Sequence, residues 1–218
     1  MKFIFVRHPE TEANVNRIIY GRTDSAYSEK GRASIAKVVE EFSNIKIDVI
    51  YSSPLTRAAT LAEAIAKGHG LGVIKDDRLQ EMHFGLFENK TSEEASEIYG
   101  EGYDKFWHNF ANFEVPEGES MQQVKDRTVD FLKEIFPSDP AEGSFDEIMK
   151  EDPKKAVDLH DSNDKTIVVV AHSIVIRGAL SYMLNIPLEA IWHIDVKPAS
   201  RTEVSYHAGF GVLTGLRA

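Results

Sequence analysis

The chain has 218 residues, of which 42% are hydrophobic and 28% charged, and these values are ordinary for one globular domain. It contains no cysteine, which excludes disulfides, thiolate metal sites and a cysteine nucleophile. The net charge of −10 argues against general nucleic-acid binding, but a local cationic cluster can still hold a small anionic substrate.

No apolar stretch approaches the roughly 18 residues that a membrane span needs. The first residues lack the long apolar core and the small-residue cleavage site of a signal peptide. We therefore expect a cytoplasmic protein without membrane contacts.

The elements are predicted in chain order from apolar periodicity and breaker residues. A buried first strand is expected at residues 3–6, where an apolar run ends abruptly in Arg7 and His8. The elements predicted after it are a short helix at 11–15, a loop at 18–25, a helix from about 28 to 42, a strand at 47–51, a helix from 54 to 66, a strand at 72–75, helical segments at 91–113 and 120–136, a strand at 166–171, a helix at 174–183, a helical turn at 187–192 and a hairpin at 203–207 and 211–214.

Residues 166–171 (TIVVVA) give the strongest strand signal in the chain. Branched side chains without alternation indicate a central strand that is covered on both faces. Strands that alternate with helices predict an α/β fold, here a three-layer α/β/α sandwich with a mostly parallel central sheet. We expect one domain over residues 1–218.

The stretch from about 138 to 165 differs in composition from the rest of the chain. It has nine acidic residues, four lysines, two prolines and little apolar content. This pattern predicts a solvated insertion with one short helix around 145–150. The alternative is a lid or an arm that docks a partner.

Three predicted strands and one loop end in chemically active residues. Because the carboxyl ends of parallel strands share one sheet edge, we expect these side chains to meet there. They are Arg7 and His8, Arg57, His172 and, from the loop, Glu81.

These residue types together point to phosphoryl transfer. Arginine forks match phosphate oxygens, and a neutral histidine can attack phosphorus. A second, protonated histidine can stabilise charge on the transferring group, and a carboxylic acid can protonate the departing alkoxide. Backbone N–H groups in the helical turn near Asn14 are expected to bind the anion further.

Residues 7–14 (RHPETEAN) resemble the Arg-His-Gly-Glu-Thr signature of the histidine phosphatase superfamily. That superfamily includes cofactor-dependent phosphoglycerate mutases, fructose-bisphosphatase domains and α-ribazole phosphatases. The likeness covers nearly the whole chain in family order. It continues through residues 21–24, 51–58, 79–85, 117–120 and 169–177.

The resemblance implies a phosphoglycerate mutase-like fold and phosphomonoester hydrolysis. It makes His8 the nucleophile that becomes phosphohistidine, and Glu81 the proton donor that later activates water. No metal and no cofactor are implied, because cationic side chains take the place of a metal. The residues implied to bind the phosphoryl group are Arg7, Asn14, Arg57 and His172.

The predicted specificity residues are Tyr20, Gly21, Arg22 and Ser173. Ser173 and Pro9 stand where the family usually has glycine. Pro9 lacks a backbone N–H, and Ser173 must fit beside the phosphate or add a hydroxyl donor. Each departure is expected to leave activity in place but to lower it or narrow specificity.

Four aromatic residues fall in the region where such enzymes build a cap over the site. We expect them to be mainly core residues, and contact with the substrate is the alternative. Arg177 follows His172 by five residues and is expected to make a structural pair instead of facing the phosphate. The aromatic residues are Phe106, Trp107, Phe110 and Phe113.

Two other functions are considered beside hydrolysis of a small phosphorylated substrate. A mutase needs extra basic residues for a second charged group, and in the mutases of the family these come from the region that corresponds to residues 88–116. Here the basic residues of that region are only Lys90, Lys105 and His108. A weakly active regulatory protein that binds a phosphorylated ligand would have no need of Glu81. The sequence leaves the particular ester and the oligomeric state open.

Overall fold

The computed structural model describes residues 1–136, 165–207 and 209–217, together with Lys150 and Lys154. The predicted acidic insertion, including the short helix expected around 145–150, lies almost wholly outside the described residues. Its role stays a prediction.

A six-stranded sheet forms the centre of the described structure. Its strand order is β4-β3-β6-β1-β7-β8, and the first four strands are parallel whereas β7 and β8 are antiparallel. The predicted mostly parallel sheet is therefore confirmed. A separate two-stranded sheet pairs β2 with β5. The strands are β1 (Lys2–Arg7), β2 (Ile18–Ile19), β3 (Val49–Ser52), β4 (Val73–Lys75), β5 (Lys90–Thr91), β6 (Thr166–Ala171), β7 (Arg201–His207) and β8 (Phe210–Arg217).

The helices follow the predicted ones with small shifts. The predicted segment at 91–113 is two helices, because the chain turns at Gly100 with a positive φ of 49°. The helix expected from Pro54 begins at Thr56, and the predicted loop at 18–25 contains β2. The helices are α1 (Glu12–Val15), α2 (Glu29–Phe42), α3 (Thr56–His69), α4 (Ser92–Tyr99), α5 (Glu101–His108), α6 (Met121–Ile135) and α7 (Ser173–Met183), with 3₁₀ turns at Asp77–Leu79, Gly85–Phe87 and Leu188–His193.

Helices cover both faces of the sheet, which confirms the three-layer arrangement. The core beneath α2 and α3 is separate from the core beneath α5, α6 and α7. Alternate residues of β1 and β6 enter the two cores, as expected of central strands. Ile4, Val6, Val168 and Val170 belong to the first core, and Phe3, Phe5, Ile167 and Val169 to the second. Along the described parts of the chain, no helix has the length and hydropathy to cross a membrane.

The register of the parallel strands brings their carboxyl ends level. Arg7 of β1 pairs with Ala171 of β6, and Ser52 of β3 pairs with Val170. The next residue of β1, His8, donates its backbone N–H to the Ala171 carbonyl at 3.1 Å. Residues that follow these three strands therefore emerge together at one edge of the sheet.

Candidate active site

A cavity of about 200 Å³ opens at this edge of the sheet. The imidazole of His172 lies beside that of His8, with ring centroids 5.2 Å apart. The structure thus brings together the residues that the sequence predicted from separate strands. Those that line the cavity are Arg7, His8, Tyr20, Arg57, Glu81 and Ser173.

The imidazole of His8 is buried, with 2% of the residue exposed. Its Nδ1 lies 2.7 Å from the carbonyl oxygen of Pro9. Because a carbonyl can only accept, Nδ1 carries the hydrogen and Nε2 keeps its lone pair. Burial lowers the pKa of His8 well below its usual value, and the charges of Arg7 and Arg57 lower it further. His8 is therefore a neutral imidazole whose Nε2 can act as a nucleophile.

Pro9 is compatible with this arrangement although it replaces the usual glycine. The contact with His8 uses the carbonyl of Pro9, which proline retains, and not the N–H that it lacks. The turn therefore still fixes the tautomer of His8.

His172 is completely buried, and its Nε2 lies 2.8 Å from the hydroxyl oxygen of Ser53. The backbone N–H of Leu55 donates to that same oxygen at 3.3 Å. The Ser53 hydroxyl hydrogen is free to point at Nε2, and in the tautomer that accepts it the hydrogen of His172 is on Nδ1. Within the described residues, Nδ1 has no hydrogen-bond partner, and His172 lies behind His8 instead of among the residues that line the cavity.

The surroundings of His172 disfavour its charged form. Burial lowers its pKa well below the usual value, and Arg57, His8 and Arg7 lower it further. These shifts oppose the expected protonation of the second histidine while no phosphate is bound, because two arginines and a second histidine lie close to it.

Arg57 is buried and fixed by backbone oxygens of the loop after β2. Its guanidinium donates to the carbonyl of Gly21, to the carbonyl of Thr23 at 3.0 Å and to the carboxylate of Asp24 at 3.2 Å. It also lies over the ring of Tyr20, 4.7 Å from the centroid. These contacts fix the guanidinium of Arg57 at the cavity. Of its three hydrogen-bonding partners named here, only Asp24 carries a negative charge.

Arg7 supplies the second cation at this end of the cavity. It donates to the carbonyl of Val196 at 2.7 Å. Burial lowers its pKa, and the nearby charge of Glu81 opposes that effect. Among the described residues, Nε of both Arg7 and Arg57 is buried without a hydrogen-bond partner. Buried donors without partners are costly unless a ligand accepts from them.

Glu81 is buried at the amino-terminal end of α7. One carboxylate oxygen accepts from the Met82 N–H at 2.9 Å, and both lie 3.3 Å from the N–H of Ile174. Arg127 donates to the Glu81 carbonyl at 3.2 Å and so steadies the loop. The carboxyl group is thereby fixed at the cavity wall, where a proton donor and acceptor is needed.

Asn14 does not line the cavity. Its side-chain oxygen accepts from the N–H and hydroxyl of Thr11, at 3.1 and 3.0 Å, and from Tyr20 at 3.0 Å. The first N–H groups of α1 bond to Ala26, Ser25 and Thr11. The expectation that these N–H groups bind the anion is therefore wrong, because they already have protein partners.

Of the predicted specificity residues after β2, only Tyr20 lines the cavity. Gly21 is needed for close packing, since a Cβ atom there would lie 1.7 Å from the carbonyl oxygen of Met82. Arg22 is half exposed and pairs with Glu119 at 3.4 Å. Gly21 and Arg22 thus position the loop and do not face the cavity.

Ser173 does line the cavity, and Arg177 donates to its hydroxyl oxygen. The hydroxyl hydrogen of Ser173 is thus left to donate elsewhere. Arg177 also donates to the carbonyl of Ile194 at 3.1 Å and lies over the ring of Trp192, 4.4 Å from its centroid. Arg177 therefore contacts other protein groups and does not line the cavity, as expected. Among the described residues, its partners are oxygen atoms and an aromatic ring, and not the carboxylate of an ion pair.

Sequence reasoning missed the apolar side of the cavity and the role of Ser53. The apolar residues come from four separated segments, so no local motif joins them. Ser53 does lie in a motif, and its position directly after a strand was the available signal. The missed lining residues are Ile18, Ile19, Phe84, Ile174 and Trp192.

Comparison with known proteins finds relatives over nearly the whole chain. The sequence model of the histidine phosphatase superfamily, branch 1, matches residues 3–145 and 150–218. Phosphoserine phosphatase 1 of Hydrogenobacter thermophilus is 30% identical over 92% of this chain and 84% of its own length. An Escherichia coli protein named "Probable phosphoglycerate mutase GpmB" is 26% identical over 99% of this chain and 89% of its own.

Among solved structures, the alpha-ribazole phosphatase of Shigella flexneri superposes with a TM-score of 0.80 at 20% identity. The match covers 100% of this chain and 96% of that one, and it shows that the two share a fold. With the family match over almost its entire length, the chain belongs to branch 1 of the histidine phosphatase superfamily.

Proposed function

We propose that this phosphatase hydrolyses phosphomonoesters through a covalent phosphohistidine on Nε2 of His8. The observation that carries the proposal is the contact from Nδ1 to the Pro9 carbonyl, which leaves the Nε2 lone pair available. Arg7 and Arg57 flank the same cavity with unsatisfied donors. A nucleophile beside two cations suits attack on a phosphate dianion.

In the first half-reaction, Nε2 of His8 attacks phosphorus and the bond from phosphorus to the ester oxygen breaks. Glu81, in its acid form, gives its proton to the departing alkoxide. Arg7, Arg57 and the Nδ1–H of His172 stabilise the charge on the transferring phosphoryl group.

In the second half-reaction, the Glu81 carboxylate takes a proton from water as the water oxygen attacks phosphorus. The bond from phosphorus to Nε2 breaks, inorganic phosphate leaves and His8 is neutral again. Every step uses side chains of this chain, so we propose hydrolysis that is independent of metal.

Hydrolysis is favoured over the mutase reaction by the position of the basic residues. Arg7 and Arg57 are the only lysine or arginine residues among the described ones that line the cavity. Lys90 bonds to the Glu88 carbonyl, and Lys105 is exposed and pairs with Glu101. A second phosphate would therefore lack a partner within the cavity.

The test is hydrolysis of 4-nitrophenyl phosphate near pH 6 in the presence of a chelator, by the wild type and by His8→Ala. We expect turnover that resists the chelator and is lost in the variant. Turnover that survives in a folded His8→Ala protein would contradict the proposal. Phosphate binding without any turnover by the wild type would instead favour the regulatory binding protein.

A further inference from the structure

A second, apolar space adjoins the cavity on the side away from His8, Arg7 and Arg57, which form its phosphate end. This space, of about 90 Å³, shares Ile19, Phe84, Ile174 and Trp192 with the active-site cavity. It is closed by further apolar residues, all of which lie on the cap or next to it. They are Met82, Phe106, Trp107, Phe110 and Met121.

The charges of the cavity are confined to its phosphate end. Among the described residues, no charged side chain lines the apolar space. The guanidinium of Arg177 lies over the ring of Trp192, 4.4 Å from its centroid. Arg177 itself is 5% exposed and does not line either space.

The outer wall is held by contacts between aromatic rings. Phe110 and Trp192 meet edge to face with centroids 5.5 Å apart, and Phe84 meets Phe106 in the same way at 6.3 Å. Trp192 is 44% exposed, which is high for a tryptophan. A large ring that is exposed beside an apolar hollow marks a binding surface.

We propose that the alcohol part of the substrate is apolar, and preferably aromatic, and that it occupies the space beside Trp192 and Phe110. This inference rests on the proposed function, because it takes the phosphoryl group to lie against His8. An apolar cavity on the order of 150 Å³ holds a benzene molecule. The 90 Å³ apolar space is smaller than that, so the ring occupies it together with the adjoining, apolar part of the 200 Å³ cavity, where both share Trp192.

The same wall discriminates against charged alcohols such as serine or glycerate. A carboxylate or ammonium group placed there would lose its water and gain no partner of opposite charge. Phosphoserine phosphatase 1 of Hydrogenobacter thermophilus is a relative by sequence, but the cavity wall of this chain suits a different ester.

The test compares three esters of primary alcohols, so that leaving-group acidity differs little. They are 2-phenylethyl phosphate, propyl phosphate and phosphoserine. We expect kcat/KM for the phenylethyl ester to exceed that of each of the other two at least about tenfold, since even one methylene in an apolar pocket is worth 10-fold or more.

Two variants test the place of the ring, and two serve as controls. Trp192→Ala and Phe110→Ala should each lower kcat/KM for the phenylethyl ester about fivefold or more, and for propyl phosphate less than about twofold. Trp192→Phe should keep most of the preference. Ile98→Ala, which truncates an exposed side chain on α4, should change neither ester.

Phosphoserine turned over as well as the phenylethyl ester would overturn the inference. Equal losses for the phenylethyl and propyl esters in the two alanine variants, or no loss in either, would also overturn it. If any of these overturning results were found while His8→Ala was inactive on every ester, only the inference about the alcohol part would fail. The phosphohistidine mechanism would stand. If the wild type hydrolysed none of the esters, or if its activity did not depend on His8, the mechanism and the inference would both be overturned.

Discussion

The two ends of the cavity are stabilised in different ways. At the phosphate end each reactive side chain is fixed by a hydrogen bond to a neighbouring group, such as His8 to the Pro9 carbonyl and His172 to the Ser53 hydroxyl. At the outer end the wall consists of rings such as Phe110 and Trp192, which meet edge to face. Fixed hydrogen-bonding groups stabilise charge that develops at one place during the reaction, whereas an apolar wall selects ligands by their shape and polarity.

This contrast teaches which changes should affect chemistry and which should affect substrate choice. Substitutions at the phosphate end should lower kcat for every ester, because they alter the transferring group. Substitutions in the outer wall should lower kcat/KM only for esters that reach it.

Replacing His8 by alanine should lower kcat by at least about 10⁴-fold, as removal of a nucleophile does in other covalent enzymes. Steady-state hydrolysis of 4-nitrophenyl phosphate measures the loss. Inorganic phosphate should still bind the folded variant, because Arg7 and Arg57 remain. Residual turnover within a hundredfold of the wild type would contradict the role of His8.

Replacing Glu81 by glutamine should lower steady-state turnover about 10²- to 10³-fold, within the range for general acid–base catalysis. With 4-nitrophenyl phosphate the leaving group needs no proton, so the first step should survive and release a burst of nitrophenolate. Only the second step, which needs a base for water, should be slow. Rapid-mixing kinetics that show no burst would contradict this division of labour.

Replacing Ser53 by alanine should lower kcat/KM about tenfold, because Nε2 of His172 loses the hydrogen-bond partner that orients its ring. The matched control is Ser52→Ala. Ser52 is equally buried, but its hydroxyl donates to the Ser53 carbonyl at 2.8 Å and not to His172.

The two serine variants should lose similar stability, about 0.5–1.5 kcal/mol for one hydrogen bond. Only Ser53→Ala should lose activity and shift the ¹⁵N signals of the His172 ring. Equal activity in the two variants would show that the Ser53 contact is structural only.

Stability should fall as the solution becomes more acidic than about pH 6.5. Burial lowers the pKa of His8 and His172 in the folded protein, whereas the unfolded chain takes up protons near the ordinary value. The unfolded state thus gains protons that the folded state does not, so the free energy of unfolding decreases with decreasing pH. Each histidine should contribute a slope of up to about 1.4 kcal/mol per pH unit.

Urea unfolding between pH 7 and pH 5 measures this slope. His172→Asn should flatten it in that range, since one of the two buried groups is removed. An unchanged slope would show that His172 takes up its proton in the folded state as well.

The fold and the phosphate end were predictable because their signals are local. The branched side chains of residues 166–171 alone predict a central strand, and His8 and His172 each come at the end of a predicted strand. Parallel pairing of β1, β3 and β6 then brings the residues at their carboxyl ends together at one edge of the sheet. The charge of His172 was not predictable in the same way, since it depends on burial and on neighbours from two other strands.

The outer wall was not predictable because its members are far apart in the chain. Ile19, Phe84, Phe110 and Trp192 come from four segments and meet only through packing of the cap. The prediction of an anion site at the start of α1 failed for a related reason. A helix start suggests an anion site, but the N–H groups there are taken by Ser25 and Ala26.

The central claim is that the phosphoryl group is carried on Nε2 of His8. The most direct test is to trap the intermediate in Glu81→Gln labelled with ¹⁵N-histidine and to assign the phosphorylated nitrogen by ³¹P and ¹⁵N NMR. The contact from Nδ1 to the Pro9 carbonyl predicts one phosphoryl group, bonded to Nε2 of His8. A phosphoryl group on Nδ1, on His172 or on no histidine would contradict the account.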